Sequence, residues 1–368
     1  MIKSFLIGSE IYRRSSFGRN HPLAIPRVST VIDMTKELNM CGQYEFVIAP
    51  CAKPKLLQEF HCQDYISVLQ RIEISQKVTE IERKNYNIGT LSNPVFREMF
   101  KRPATSVGSS ILAAELVADG GRAYALGGGL HHGKAKYANG FCFMNDLVFA
   151  IRHLRSLGIQ RVAYVDLDAH HCDGIMEAFE EDDNLLILST HEEGRWPFTG
   201  ILGDNIKDRV INIPLPRACN DDEFLLAVDQ IVLPAIIRFS PEALIIQGGA
   251  DALLDDPLSR LGLSNIALWQ TLSNLTELSD RIILTGGGGY NPWTVARLWT
   301  GFWAIMSGRT VPSELNKSAS LILQELKWNR KVKPDKRLLH YIHDVPNKGF
   351  IRPKMRYLLE YLQSVHLL

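Results

Sequence analysis

The sequence predicts a single three-layer α/β domain with a mostly parallel central sheet, and three observations lead there. Short, wholly apolar runs alternate with helix-like stretches in the βαβ manner. Those runs are continuous rather than alternating, as befits strands buried on both faces. Several of them end in glycines followed by His, Asp or Tyr, and open α/β sheets gather ligands beyond the carboxyl ends of their strands.

In chain order, RAYAL (122–126), RVAYVDLD (161–168), NLLILST (184–190), ALIIQ (243–247) and RIILT (281–285) read as parallel strands. Helical spacing fills SSILAAELVADG (109–120), NDLVFAIRHLRSLG (145–158), DDEFLLAVDQIVLPAIIRF (221–239) and NIALWQTLSNLTELS (265–279), with Gly120 and Gly158 as helix stops. No repeat, low-complexity tract or linker divides the 368 residues, so the expectation is one domain over 1–368.

Hydrophobic residues make up 46% of the chain and charged ones 22%, the composition of an ordinary soluble globular protein. The net charge of +1 gives no global attraction to nucleic acid or acidic membranes. The C-terminal segment 317–368 is different, with 11 Lys or Arg against 4 Asp or Glu. It is read first as solvated surface, packed on the domain or partly extended, with an anionic partner as the alternative. Six cysteines without CxxC pairs suit a reducing compartment. The apolar run in MIKSFLIGSEIYRR is too short for a signal peptide, and no segment approaches a membrane span. A cytoplasmic protein is expected, and nothing in the sequence fixes its oligomeric state.

The most informative stretch is VAYVDLDAHHCDG (162–174). Side chains alternate along a strand, so Asp166, Asp168 and His170 share one side if the extended run continues. A carboxylate and an imidazole two residues apart are borderline-metal ligands, and a hydrolytic site needs about three such ligands plus an open position. Asp168 and His170 supply two, and Asp251 in GGAD is the leading third. Two carboxylates and one histidine suit Zn²⁺ or Fe²⁺. His131 and His132 in GGGLHHGKA are acid/base candidates, with Asp166 and Asp173 as the carboxylates to orient them. Tyr290, after four glycines, can stabilise an oxyanion. Neither glycine run has GxGxxG or Walker spacing, which speaks against nucleotide binding.

These residues resemble the zinc-dependent histone deacetylase superfamily, including the acetoin-utilisation and acetylpolyamine amidohydrolase branches. GGGLHHGKAKYANGFCFMND (127–146), DLDAHHCDG (166–174), GGADALLDDPL (248–258) and GGGGYN (286–291) match in family order, as do HPLAIPR (21–27), FHCQDY (60–65) and NPVF (93–96). The resemblance implies an arginase/deacetylase-like fold and metal-dependent hydrolysis of N-acyl amides, either acetylated protein lysine or a small acetylated amine. It implies Asp168, His170 and Asp251 as zinc ligands, His132 as general base with His131 as partner, Asp166 and Asp173 hydrogen-bonded to them, and Tyr290 polarising the carbonyl. It also places Gly140, Phe141, Trp196 and Leu258 along an acyl tunnel and Arg27 near an inner acetate channel. Asp166, Asp168, His170 and Ser189 would surround a structural K⁺ or Na⁺. Three positions depart from the family pattern: Cys172 replaces a glycine, Ser92 replaces a rim aspartate, and Trp196 is bulkier than the usual aromatic. Together they argue against assuming a histone substrate. Two other readings compete. One is an arginase-like ureohydrolase with two manganese ions, for which Asp255 and Asp256 are the only further carboxylates near Asp251. The other is a non-catalytic protein that binds an acylated partner.

Overall fold

The computed structural model describes residues 3–330 and 334–367; the remainder of the basic segment, residues 331–333 and 368, lies outside the described residues. Eight strands form one sheet: β1 Ser4–Gly8, β2 Phe46–Ile48, β3 Gly121–Ala125, β4 Val162–Asp166, β5 Leu185–Glu192, β6 Val210–Leu215, β7 Ala243–Gln247 and β8 Arg281–Thr285. Their order is β2-β1-β3-β8-β7-β4-β5-β6, and every pairing is parallel. One apolar core lies between one face and the helices Lys101–Val117, Asp146–Ser156 and Asp173–Phe179. A larger core joins the other face to Val28–Glu37, Asn265–Leu275, Pro292–Met306 and Pro353–His366. The three-layer expectation therefore holds. With both faces covered, all of β4 and β7 is buried, which explains their unbroken apolar runs.

ALIIQ and RIILT fall on β7 and β8 without an offset. The expected 221–239 helix is interrupted: Asp221–Ala227 and Leu233–Phe239 flank one π turn at Val228–Val232. Pro234 follows that turn, and a proline cannot donate to the i−4 carbonyl and crowds it, so the wider turn relieves the clash. Gly120 and Gly158 do stop their helices, at φ +96° and +89°. In the basic C-terminal segment, Pro353–His366 buries Met355, Leu358, Leu359 and Leu362 in the larger core. Among the described residues no helix is long and apolar enough to cross a membrane.

The register sets the site. Gln247 on β7 lies level with Asp166 on β4 and Thr285 on β8, so these strands end together at one edge.

Candidate active site

The strand expected over 161–168 ends at Asp166, and the chain then turns. Asp168 N donates to Asp166 Oδ1 (3.0 Å), and His170 N donates to Asp168 Oδ1 (3.0 Å). Strand alternation is therefore not what groups these side chains. The turn directs Asp168 and His170 into one cluster and leaves Asp166 facing His131.

Asp168, His170 and Asp251 each offer a ligand atom within 4.8 Å of the others, all three buried. His170 Nδ1 is 3.1 Å from Asp168 Oδ1 and 2.9 Å from Asp251 Oδ2. Burial resists charge at each group. Asp168 is nevertheless held well below the usual carboxylate range by His131 and His170, while His170 is lifted to about 10 by Asp168 and Asp251. Asp251 rises to about 6 through burial and the charge of Asp168. Two buried carboxylates demand positive charge between them, which a proton on His170 or a divalent cation supplies. Both carboxylates are held in orientation: Gly288 N (2.7 Å) and Gln247 Nε2 (3.1 Å) donate to Asp168 Oδ2, and Ala169 N (3.0 Å) to Asp251 Oδ1. The cage admits no side chain at its glycines. A Cβ on Gly249 would meet Asp168 Oδ2 at 2.2 Å, and one on Gly288 would meet Asp251 Oδ2 at 2.1 Å.

The loop after β3 brings in the histidine pair. Asp146 pins it by accepting from Gly129 N (3.1 Å) and Leu130 N (2.7 Å). His131 Nδ1 donates to Asp166 Oδ2 (2.7 Å), which Tyr164 Oη also reaches; His132 Nδ1 donates to Asp173 Oδ1 (2.6 Å). Asp173 is braced by Lys134 Nζ (2.9 Å) and Asn139 Nδ2 (3.0 Å). Burial opposes charge on His131, but Asp166 and Asp168 outweigh it and raise its pKa to about 9. Burial and the neighbouring His131 push His132 down to about 4, leaving it a neutral base.

Tyr290 is buried at the same edge, fixed by its own N–H to Asp256 Oδ2 (2.7 Å). Burial, with Asp251 and Asp168, pushes its phenol well above the ordinary range, so it keeps its proton. Phe141 stands edge-on to Tyr290, with ring centroids 5.7 Å apart. Across from it, the Trp196 ring lies 4.6 Å from His132 and 6.2 Å from His170. Gly140, at φ +51°, lets Trp196 approach: a Cβ there would sit 2.3 Å from the indole and 2.7 Å from His132. Leu258 is part-buried one residue beyond Pro257, its N–H on Asp256 Oδ1 (2.8 Å). Arg27 donates to Gly287 O (2.6 Å), stacks over Trp299, and lines a small inner cavity of about 30 Å³ with Tyr12, Arg102 and Phe143.

The structure thus brings together the expected ligands, the histidine pair, Tyr290, Gly140, Phe141, Trp196, Leu258 and Arg27. Ser189 is level with Asp166 across β4 and β5, but its Oγ is engaged with His191 Nδ1 (3.0 Å). Cys172 is buried in the smaller core, and burial pushes its thiol well above the ordinary range, which makes it an inert packing residue. Asp256 holds Tyr290 and Leu258 rather than an ion, and Asp168–His170–Asp251 is the sole such ligand group among the described residues, so a two-metal site lacks its second ligand set. Sequence reasoning missed Gln247, Lys134, Asn139 and Asp146. Gln247 closes an otherwise apolar strand, and that break in pattern was the one available signal.

A model of the histone deacetylase domain matches residues 21–306. The chain belongs to the histone deacetylase family. Acetoin utilization protein AcuC of Bacillus subtilis (strain 168) is 33% identical over 323 residues, covering 84% of this chain and 83% of the relative. Histone deacetylase 9 of Arabidopsis thaliana is 33% identical over 309 residues, 81% and 72% of the two chains. The crystal structure of an HDAC homolog from Aquifex aeolicus superposes with a TM-score of 0.93 at 36% identity, covering 98% of this chain and 100% of that one. An HDAC homolog complexed with SAHA gives a TM-score of 0.94, also at 36% identity and with the same coverage. This histone deacetylase family member is a deacetylase-type hydrolase.

Proposed function

We propose that the chain hydrolyses N-acyl amides, acetyl-lysine in a protein or a small acetylated amine, with a Zn²⁺ or Fe²⁺ ion at Asp168, His170 and Asp251. The two-carboxylate, one-imidazole donor set fits such an ion. Bound there, it supplies Lewis acidity to the carbonyl and makes water a stronger acid. The chain's own residues do the rest. Trp196 and Phe141 flank the acyl chain. Neutral His132, its Nδ1–H on Asp173, has Nε2 free to take the proton of the attacking water. The Tyr290 hydroxyl donates to the carbonyl oxygen as charge builds. Water adds to the carbonyl carbon, the C–N bond breaks, and the histidine pair returns a proton to the leaving amine. The observation that carries this reading is the buried Asp168–His170–Asp251 cluster with Asp173-held His132 and Tyr290 at the same sheet edge.

The HDAC homolog complexed with SAHA supports an acyl-binding tunnel in this chain as well. Six free cysteines support a cytoplasmic location. The reading also includes one domain over the whole chain and a K⁺ or Na⁺ beside Asp166, Asp168, His170 and Ser189, to be checked by whether KCl raises the melting temperature above that in a bulky organic-cation salt. The main test is a turnover panel of acetyl-lysine, longer acyl-lysine and acetylpolyamine substrates on zinc- and iron-loaded protein. Tyr290→Phe is expected to lower kcat by about a hundredfold with metal content unchanged. Loaded protein that hydrolyses none of the panel would refute the reading.

A further inference from the structure

Beside the proposed tunnel residues lies a groove of about 580 Å³. The two share walls. Tyr290 and His21 line the groove, while Tyr290 also packs on Phe141 and His21 stands 4.6 Å from the same ring; Pro257 precedes the tunnel residue Leu258. The far wall is the segment 325–330, part of the basic C-terminal stretch that the proposed chemistry does not use. That wall is anchored: Trp328 packs edge-on against buried Trp293 at 5.8 Å, and Asn329 Nδ2 donates to Arg19 O across the groove.

The groove carries a strong charge bias. Arg19, Lys327 and Arg330 line it against one acid, Glu325, and none of the four makes an ion pair among the described residues. Arg330 lies over Trp328 at 5.6 Å, which leaves a flat cationic surface beside an indole. On the adjoining rim, exposed Ser92 adds no charge; its carbonyl accepts from His21 Nε2 (3.2 Å). Partners of opposite sign are steered into such a groove, and partners of like sign are excluded.

We infer that this groove selects the substrate: it receives acidic side chains of a peptide whose acyl-lysine occupies the tunnel, and it disfavours polyamines and strongly basic peptides. The inference rests on the deacylase reading and narrows it, since an acetylpolyamine keeps cationic amines on the side that would face Arg19, Lys327 and Arg330. An exposed pair contributes little by itself, so the effect comes from three cations acting on one peptide and weakens with salt.

The test uses two peptides of equal length with one acetyl-lysine, flanked either by Asp and Glu or by Asn and Gln, on the metal-loaded full chain. The ratio of their kcat/KM values is read, so that a general defect in a variant cancels. About a fivefold preference for the acidic peptide is expected at low salt, residing in KM and fading toward unity at high salt. Replacing Arg19, Lys327 and Arg330 together by serine is expected to bring the ratio near one. Glu325→Gln is expected to raise it by about twofold, a gain that misfolding cannot mimic. A wild-type ratio at or below one, or a ratio that neither variant moves, overturns the inference. If no peptide is hydrolysed, the deacylase reading fails and calorimetric titration of the two peptides judges the groove alone. Tighter binding of the acidic peptide that is lost in the triple variant then supports the groove; equal affinities overturn it.

Discussion

His131 and His132 are neighbours in sequence, each donates Nδ1 to an aspartate at almost the same distance, 2.7 and 2.6 Å, and both are buried. Their pKa values nevertheless diverge, to about 9 and about 4. The difference comes from outside each pair. Burial lowers both rings; His131 is raised by Asp166 and Asp168, whereas the ring of His132 faces the charges on His131 and His170. A His–Asp pair is therefore not a fixed unit; the third and fourth charges decide which member is the acid and which the base.

The most severe way to break this division of labour is to delete one ring at a time. His132→Ala is expected to lower kcat by roughly a thousandfold and His131→Ala by some tens, since His132 is the proposed base. Equal losses, with metal content held equal by elemental analysis, would erase the distinction.

A third buried histidine isolates the role of burial. His61 has no carboxylate: its Nδ1 donates to Lys134 O (3.1 Å) and its Nε2 accepts from Asn145 N (3.2 Å). Burial lowers its pKa to about 4. As pH falls below about 6.5 the unfolded chain takes up this proton while the folded chain does not, until about pH 4. His61 should therefore cost on the order of 3 kcal/mol of stability across that window and nothing above it. Urea unfolding from pH 7 to 4, with the His61 ring followed by NMR, measures this; a ring that titrates near 6.5 contradicts it.

Lys134→Met sharpens the other side of the comparison. It strips the cation from Asp173, costs about 2 kcal/mol of stability, and should raise the His132 pKa from about 4. Because the base must be neutral, the acid limb of the pH–rate profile should then move to higher pH. The smallest effect is expected for Gly140→Ala, at about 1 kcal/mol, because alanine resists the left-handed backbone and its Cβ displaces Trp196. KM for longer acyl substrates should shift more than kcat.

The sequence made much of this visible where chemistry and pattern coincide. ALIIQ and RIILT were legible because both faces are covered, and DLDAHH, GGAD and GGGGYN because glycines and polar residues interrupt apolar runs. Three strands escaped notice. β1 SFLIG has only three large apolar residues between Ser4 and Gly8, β2 is a three-residue edge strand with exposed Phe46 and Ile48, and β6 VINIPL contains Asn212 and Pro214. The helix Pro292–Met306 is buried nearly all round, so it shows no amphipathic face to read. Lys134, Asn139 and Gln247 acquire their roles only through partners distant in sequence, which no local pattern encodes. The expected alternation of Asp166, Asp168 and His170 failed because Asx turns, rather than pleat, shape the chain past 166.

The strand order has a consequence for assembly. The histidine pair follows β3, the proposed ligands follow β4 and β7, and within the sheet the first group of strands, β2-β1-β3, joins the second, β7-β4-β5-β6, through β8. This last strand slots between two half-sheets made earlier in the chain, and 81 residues already separate His170 from Asp251. Such long-range closure is slow to form. Until Arg281–Thr285 is in place, no strand bridges β3 and β7, so the segments that carry the histidine pair and the proposed ligands share no continuous sheet.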